Sequence, residues 1–592
     1  MSATLFKKVD YSLAKLIHDI EQGEIGLPDI QRPFVWEAAK VRDLFDSMYK
    51  GFPVGYLLFW SNEHLSNTRQ IGTATKQAKV PRLLIVDGQQ RLTSLYAVLK
   101  GQPILTKDYK ESHIHIAFRP RDARFVVTDA AIQRDPEYIA DISKLWAGEV
   151  SRNRFVKDYI ARLREAHTLT DEEEDQLSES IDRLYDLQNY PFTAMEISST
   201  VNEEQVSEIF VRINSKGVTL KQADFILTLL SVFWDEGRAQ LEKFCRDCRR
   251  PPAVGEGPSP FNYFIQPDPD QILRTCVGLG FKRARLQFVY SILRGKDLET
   301  GEFSEERRDA QFDVLKKAQA QALDLTNWHE FLKVLIRAGY RSKSMISSDT
   351  GLLYAYVMFL IGRHEFKVDP YLLRDVMARW FFMTALTGRY SYSPETSMEA
   401  DLARLRPIHE AKDFIKSLDQ VIKDTLSEDF WNIALVNNLE SSAGRTPVLF
   451  AYYAALNLLD AKVLFSKMKV SELLDPALKT KKSATERHHL FPKGYLHKLG
   501  ITEVRDTNQI ANYALVEWDD NIGISDKSPS EYFPLYAQRF TPEELAQMME
   551  WHALPEGWDR MGYTEFLTER RKLISRVIRK GFEKLFGQGV GA

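Results

Sequence analysis

Arg82-Leu83-Leu84-Ile85-Val86-Asp87-Gly88-Gln89-Gln90-Arg91-Leu92-Thr93-Ser94 carries the chain from an unbroken apolar run, through a polar turn, into a helical repeat. Arg82 to Val86 reads as a short strand, while Leu92, Leu95, Tyr96 and Leu99 recur at helical spacing, so Asp87-Gly88 is a tight strand-to-helix junction. A carboxylate, a glycine, two amides and a guanidinium meet there. Backbone N–H groups at a helix start face an anion, and Arg91 can grip that anion at two points. Asp87 can hold a magnesium ion between itself and a phosphate, or position a water. Taken by themselves, the same residues also describe an ordinary capped helix.

Upstream, Leu13, Leu16, Ile17 and Ile20 predict a helix from Ser12, and Val41, Leu44, Phe45 and Met48 predict a second, ended by Gly51 and Pro53. Strands are expected at Tyr56–Trp60, Ile114–Phe118 and Phe192–Ile197. Leu169-Thr170-Asp171-Glu172-Glu173-Glu174-Asp175 reads as a helix start whose acids suit the positive end of the dipole. A further stripe, Val206, Ile209, Phe210 and Ile213, ends at Asn214-Ser215-Lys216-Gly217. Residues 250–260, rich in Pro and Gly, form a surface loop or linker. From Ile272 to Leu459 the periodicity is helical, Arg505 to Tyr532 reads as polar loops, and a last helix runs from Tyr563 to Phe586. The chain is thus expected to be a multidomain α+β protein, divided at 1–235, 236–460 (a largely helical connecting region) and 461–592.

At 592 residues the chain exceeds one hydrophobic core, and 44% hydrophobic residues suffice to fill several. The formal net charge of −3 neither requires nor excludes nucleic acid, so a DNA surface must be a local basic patch. Three cysteines, Cys245, Cys248 and Cys276, are too few for a disulfide framework and suit a reducing cytosol. No stretch approaches the length needed to cross a bilayer, so the expectation is a cytoplasmic protein without a membrane partner.

The second chemical signal is Glu486-Arg487-His488-His489-Leu490-Phe491-Pro492-Lys493, followed by Asn512 and Asn521. Hydrolysis of a phosphodiester needs a base beside the attacking water, a cation on the developing charge, and stabilisation of the leaving oxygen. A neutral imidazole supplies the first and a divalent metal the other two. Neighbouring residues on a strand face opposite ways, so one histidine can ligate while the other polarises water. The plain alternative is a capped helix with asparagines filling turns.

The stretch Glu486–Lys493 resembles the first strand of the HNH nuclease motif, and Asn508-Gln509-Ile510-Ala511-Asn512-Tyr513-Ala514-Leu515-Val516 its middle part. The resemblance puts His488 at the metal position and His489 at the base position. It also puts Asn512 where an asparagine orients the base and holds the loop, and Asn521 at the closing metal ligand, with Asp519 or Asp520 as substitutes. At the other end, Pro28–Trp36, Lys50–Gly55 and Asp87-Gly88-Gln89-Gln90-Arg91 resemble the ParB/sulfiredoxin-like domain of GmrSD-type, modification-dependent restriction systems. That resemblance implies binding and hydrolysis of ATP or GTP at Asp87, Gly88, Gln89, Gln90 and Arg91, with Asn214 and Gly217 near the same pocket. It links Gln31, Arg32 and Pro33 to sensing modified DNA.

The combined expectation is a ParB/sulfiredoxin-like sensor, a helical middle, and a carboxy-terminal helical domain carrying a ββα-metal HNH nuclease. Such a protein is a nucleotide-regulated DNA endonuclease or nickase, using Mg2+ or Mn2+, against foreign or phage double-stranded DNA. Lys479, Lys481, Lys482, Arg487 and the final helix are candidates for the DNA backbone, though a solvated helix face explains the latter equally well. Competing readings are a nucleotide hydrolase with a non-cleaving, modified-DNA-binding HNH region, and a regulatory partner whose polar clusters only stabilise loops. A homo-oligomer stays open.

Overall fold

The computed structural model describes residues 5–28, 36–61, 68–69, 81–106, 111–148, 150–201, 234–293, 304–477 and 487–586, with residues 209, 226, 230, 295, 296 and 300. The chain is a mixed α+β structure that separates into two units, residues 1–238 and 239–592.

In the first unit six strands form one mixed sheet: β1 (Phe6–Ser12), β2 (Ile25–Pro28), β3 (Leu57–Ser61), β4 (Thr68–Arg69), β5 (Leu83–Asp87) and β6 (Pro191–Ile197), in the order β1-β6-β3-β5-β2-β4. β6 runs parallel to β3 and β2 parallel to β5, and the other pairs are antiparallel. Helices α1 (Leu13–Glu21), α2 (Ala38–Tyr49) and α3 (Gln89–Lys100) supply Leu16, Ile17, Val41, Phe45, Leu92 and Leu95 to a core shared with Leu57, Phe59, Leu83 and Ile85. The alternate residues of the same strands, Leu58, Trp60, Leu84 and Val86, are buried in a separate cluster. Burial on both faces is why Leu83–Val86 is apolar without alternation.

β1 is not anticipated by hydrophobic pattern, because its residues Phe6 to Asp10 are largely exposed on the sheet edge and include Lys7 and Lys8. Edge strands tolerate and favour such charge. The strand expected at Ile114–Phe118 lies at Ile116–Arg119, paired with Arg124–Val127. The acidic helix is Asp171–Tyr185, started by a capping box between Thr170 and Glu173.

The second unit is predominantly helical. α4 (Asp349–His364) buries every residue from Leu352 to Gly362, and α5 (Pro370–Thr387) buries as many. Cys245, Cys248 and Cys276 are buried free thiols, each raised above the usual thiol pKa by burial. Residues 505–532, expected as loops, contain β8 (Tyr513–Leu515), α6 (Trp518–Ile524) and the start of the helix Pro529–Ala537. Strands of three residues and helices of two turns are too short to show a period. β8 pairs with β7 (Arg487–His489), and the final helix, α7, is Tyr563–Glu583. Among the described residues no helix is long and apolar enough to cross a membrane.

Candidate active site

β7 and β8 are antiparallel, with His488 opposite Ala514 and His489 opposite Tyr513, and α6 follows. Strand alternation separates the two imidazoles. His488 is 3% exposed, and its Nδ1–H donates to Asn521 Oδ1 on α6 at 2.7 Å. Burial pushes its pKa down to about 4, against the smaller upward pull of Asn521, so the ring is neutral at neutral pH. Its Nε2 is buried without a hydrogen-bond partner among the described residues. His489 is half-buried; its Nε2–H donates to Asn508 Oδ1 at 2.9 Å, and Tyr513 meets the ring edge-on at 5.1 Å between centroids.

Asn512 is fully buried. Its Nδ2 donates to the carbonyls of Phe491 (3.0 Å) and Thr507 (3.2 Å), and its Oδ1 accepts from Phe491 N at 2.8 Å. It therefore staples the turn after β7 to the segment entering β8. The amide that reaches His489 belongs to Asn508. Sequence spacing gave no means of choosing between these two asparagines, which lie in one short aperiodic stretch.

His488 Nδ1 and Asn521 Oδ1 are donors suited to a divalent cation. Two ligands at right angles on a magnesium-sized ion stand roughly 3 Å apart, so these atoms need separate only slightly, with the Nδ1 proton moving off. The residues fit a two-ligand site that leaves other positions for phosphate and water, and among the described residues no group of three His, Cys, Asp or Glu side chains competes for the ion. Asp520, a candidate substitute ligand, is held by Arg539 at 2.8 Å, and Asp519 is exposed.

The final helix backs this hairpin. Arg570 is wholly buried and donates to the carbonyls of Ala511 (2.7 Å) and His552 (3.1 and 3.2 Å). Arg571 donates to Gln509 Oε1, and the Tyr563 hydroxyl to Asp506 O at 2.8 Å. Lys572, Arg579 and Lys580 pair with Glu569, Glu428 and Glu550. Of the basic residues of the final helix, Arg570 is thus inside the core rather than on a solvated or DNA-facing side, and Lys572, Arg579 and Lys580 each have an acidic partner. Lys479, Lys481 and Lys482 lie outside the described residues, as does the side chain of Arg487.

In the first unit, Asp87 closes β5 beyond an irregularity in its pairing with β3, and Gly88 begins α3 at φ 98°. Arg91 Nη1 donates to Val54 O at 2.6 Å, and Nη2 to Tyr56 O at 2.8 Å and to Asp87 at 3.4 Å. Burial lowers its pKa, partly offset by Asp87. The guanidinium thus ties the 54–56 loop to the helix start, where sequence reading gave it a grip on an anion. Gln89 and Gln90 occupy the first turn of α3, and Asp87 is about one-third exposed at 37%. Asn214, Gly217, Gln31, Arg32 and Pro33 lie outside the described residues.

An uncharacterized protein of Methanocaldococcus jannaschii is 21% identical over 562 residues, which cover 88% of this chain and 86% of that one. Residues 13–231 match the sequence family described as the GmrSD restriction endonuclease N-terminal domain, a span that includes α1 to α3, β2 to β6 and the Asp87–Arg91 turn. The chain is thus similar to the GmrSD restriction endonuclease N-terminal domain over residues 13–231, less than half of its length.

Proposed function

We propose that the protein is a restriction-type DNA endonuclease or nickase, acting against phage or other foreign double-stranded DNA, with a nucleotide site in its first unit and an HNH-type nuclease site in its second. The observation that carries this reading is the pair of oppositely directed histidines on β7, one joined to Asn521 and the other to Asn508. The amino-terminal family match supports the restriction context.

A divalent cation, Mg2+ or Mn2+, held by His488 and Asn521 would supply positive charge at the scissile phosphate and leaving oxygen. His489 takes the proton of the attacking water, its ring held by Asn508. Asn512 keeps the turn after β7 closed, so both histidines stay at fixed separation from the strand. At the other site Asp87, Gly88, Gln89 and Gln90 receive ATP or GTP at the start of α3, and Arg91 keeps the adjoining loop in place. Asn214 and Gly217 are proposed for the same pocket, and Gln31, Arg32 and Pro33 for contact with modified DNA. Lys479, Lys481, Lys482 and Arg487 are proposed for its backbone.

A nucleotide hydrolase with a non-cleaving carboxy-terminal region is the second reading, favoured by a donor set that, among the described residues, is one imidazole and one amide. Supercoiled plasmids, unmodified, base-modified or phosphorothioated, with Mg2+ or Mn2+ and with or without nucleotide, separate the two. Nicking is expected from the parent, lost in His489→Ala with nucleotide turnover intact, whereas Asp87→Ala should damage nucleotide use first. Undiminished cutting by His489→Ala removes it as the base.

A further inference from the structure

We infer that the second unit carries a nucleotide site of its own, a cleft where the end of α4 and the start of α5 meet the helix Leu325–Arg337, with Arg363 and Lys367 taking the phosphate and Tyr371 the base. The cleft has a volume of about 220 Å3 and is lined by Glu330, Arg363, Lys367 and Arg374 over an apolar floor that includes Phe359 and Leu373. Three cations and one carboxylate thus line it, and that carboxylate is neutralised twice: Glu330 pairs with Lys333 at 2.6 Å and with Arg374 at 2.7 Å. The acids next to the cleft in sequence are engaged as well. Glu365 pairs with Lys282 at 2.6 Å, Asp369 accepts from Tyr371 N and Leu372 N, and Asp375 pairs with Arg337 at 3.1 Å. Arg363, half-buried, and Lys367, exposed, have neither a hydrogen-bond nor an ion-pair partner among the described residues. A concave wall with two such cations attracts an anion, and a guanidinium fork beside an ammonium matches the oxygens of a phosphate. The volume is several times the share of one water, roughly 30 Å3, and below the roughly 300 Å3 at which sites for organic ligands begin, so it holds a phosphate with its sugar and leaves the base outside. Between Pro370 and Arg374, both in the wall of the cleft, Tyr371 is 74% exposed, with the Arg374 guanidinium 5.9 Å from its ring centroid, and offers that base a flat ring to stack on. Lys367 stands at φ 51°, a left-handed conformation that glycine adopts freely and lysine does not. The turn alone favours glycine there, and the chain carries a cation. The nucleotide unit belongs to a free nucleotide or to the 5′ end of a DNA strand, which present the same phosphate and sugar. The cleft shares no residue with the hairpin site or with the Asp87 turn.

The full chain, in phosphate-free buffer, is titrated with deoxyadenosine monophosphate while hydrogen exchange is read on peptides spanning residues 359–375. In the parent the mononucleotide should slow exchange there, deoxyadenosine should not, and inorganic phosphate should compete. Lys367→Gly and Arg363→Gln should each weaken the mononucleotide's affinity at these peptides about tenfold, through loss of a charge-assisted contact. Tyr371→Ala should weaken the mononucleotide and leave inorganic phosphate unchanged. Lys367→Gly should also keep or raise the thermal midpoint, because glycine relieves the left-handed turn, and this separates a lost contact from a damaged fold. A short 5′-phosphorylated single strand that protects the same peptides more strongly than the mononucleotide assigns the site to DNA ends, and weaker protection by that strand assigns it to free nucleotide. No protection by either ligand at millimolar concentration, or equal protection in the parent and in folded Lys367→Gly, overturns the inference. If Arg363→Gln fails to fold, Lys367→Gly alone decides.

Discussion

Gly88 has φ 98°, and a Cβ there would stand 2.4 Å from Leu57 Cδ2. Gly55, at φ 90°, would put a Cβ 2.6 Å from Arg91 Nη1. A side chain at either strains the backbone, and it meets the buried Leu57 at Gly88 and the guanidinium that ties loop to helix at Gly55, so Gly88→Ala should destabilise the first unit by about 3 kcal/mol. Urea unfolding followed by hydrogen exchange of β5 amides measures this, and an unchanged exchange rate contradicts it. Asn512→Ala leaves Phe491 N and two carbonyls without their partner, an expected loss of about 3 kcal/mol in the second unit. A midpoint within experimental error of the parent would remove Asn512 as a staple. Residue chemistry was legible where identity alone suffices: two adjacent histidines on a strand must diverge, and they do. It was illegible where geometry chooses between like residues, as with Asn508 and Asn512, or gives a cation a main-chain partner, as with Arg91.

Elements were readable in proportion to their length and burial. α1, α2, α3, β3 and β5 follow their apolar repeats because each presents a continuous face or two faces to a core. β1 is polar and sits at an edge, and β8 has three residues, so neither leaves a pattern. In α7 the row of arginines and lysines suggested solvent or DNA, yet Arg570 is at 0% exposure. Helix periodicity alone does not distinguish a buried cation satisfied by carbonyls from a solvated one. Arg570→Met should therefore cost about 3 kcal/mol or more, because the Ala511 and His552 carbonyls lose their donor in a dry site. Thermal unfolding that matches the parent, with the hairpin amides equally protected, would contradict the contact's importance.

At the scale of the molecule the stability of the second unit carries a built-in pH dependence through His552. It is fully buried, its Nε2–H donates to Lys462 O at 2.8 Å, and burial lowers its pKa to about 4, with Arg570 adding to the effect. Unfolded histidine titrates near 6.5, so the unfolded chain takes up the proton first. Stability should be level above about pH 6.5, fall as pH drops towards 4, and lose up to about 3 kcal/mol over that window. His552→Gln should flatten part of this slope in unfolding midpoints compared between about pH 7.5 and 5, and an identical slope in both proteins would contradict the assignment. The formal net charge of −3 leaves any long-range field to local patches, and on α7 Lys572, Arg579 and Lys580 each face an acidic partner. The order in which the ribosome delivers the parts has its own effect. Because Tyr563, Arg570 and Arg571 are translated some seventy or more residues after His488 and His489, a growing polypeptide holds both histidines before the helix that braces residues 506–511 beside them. On the endonuclease reading proposed above, a stop codon upstream of Tyr563 should yield a chain whose hairpin lacks this brace and which does not cut.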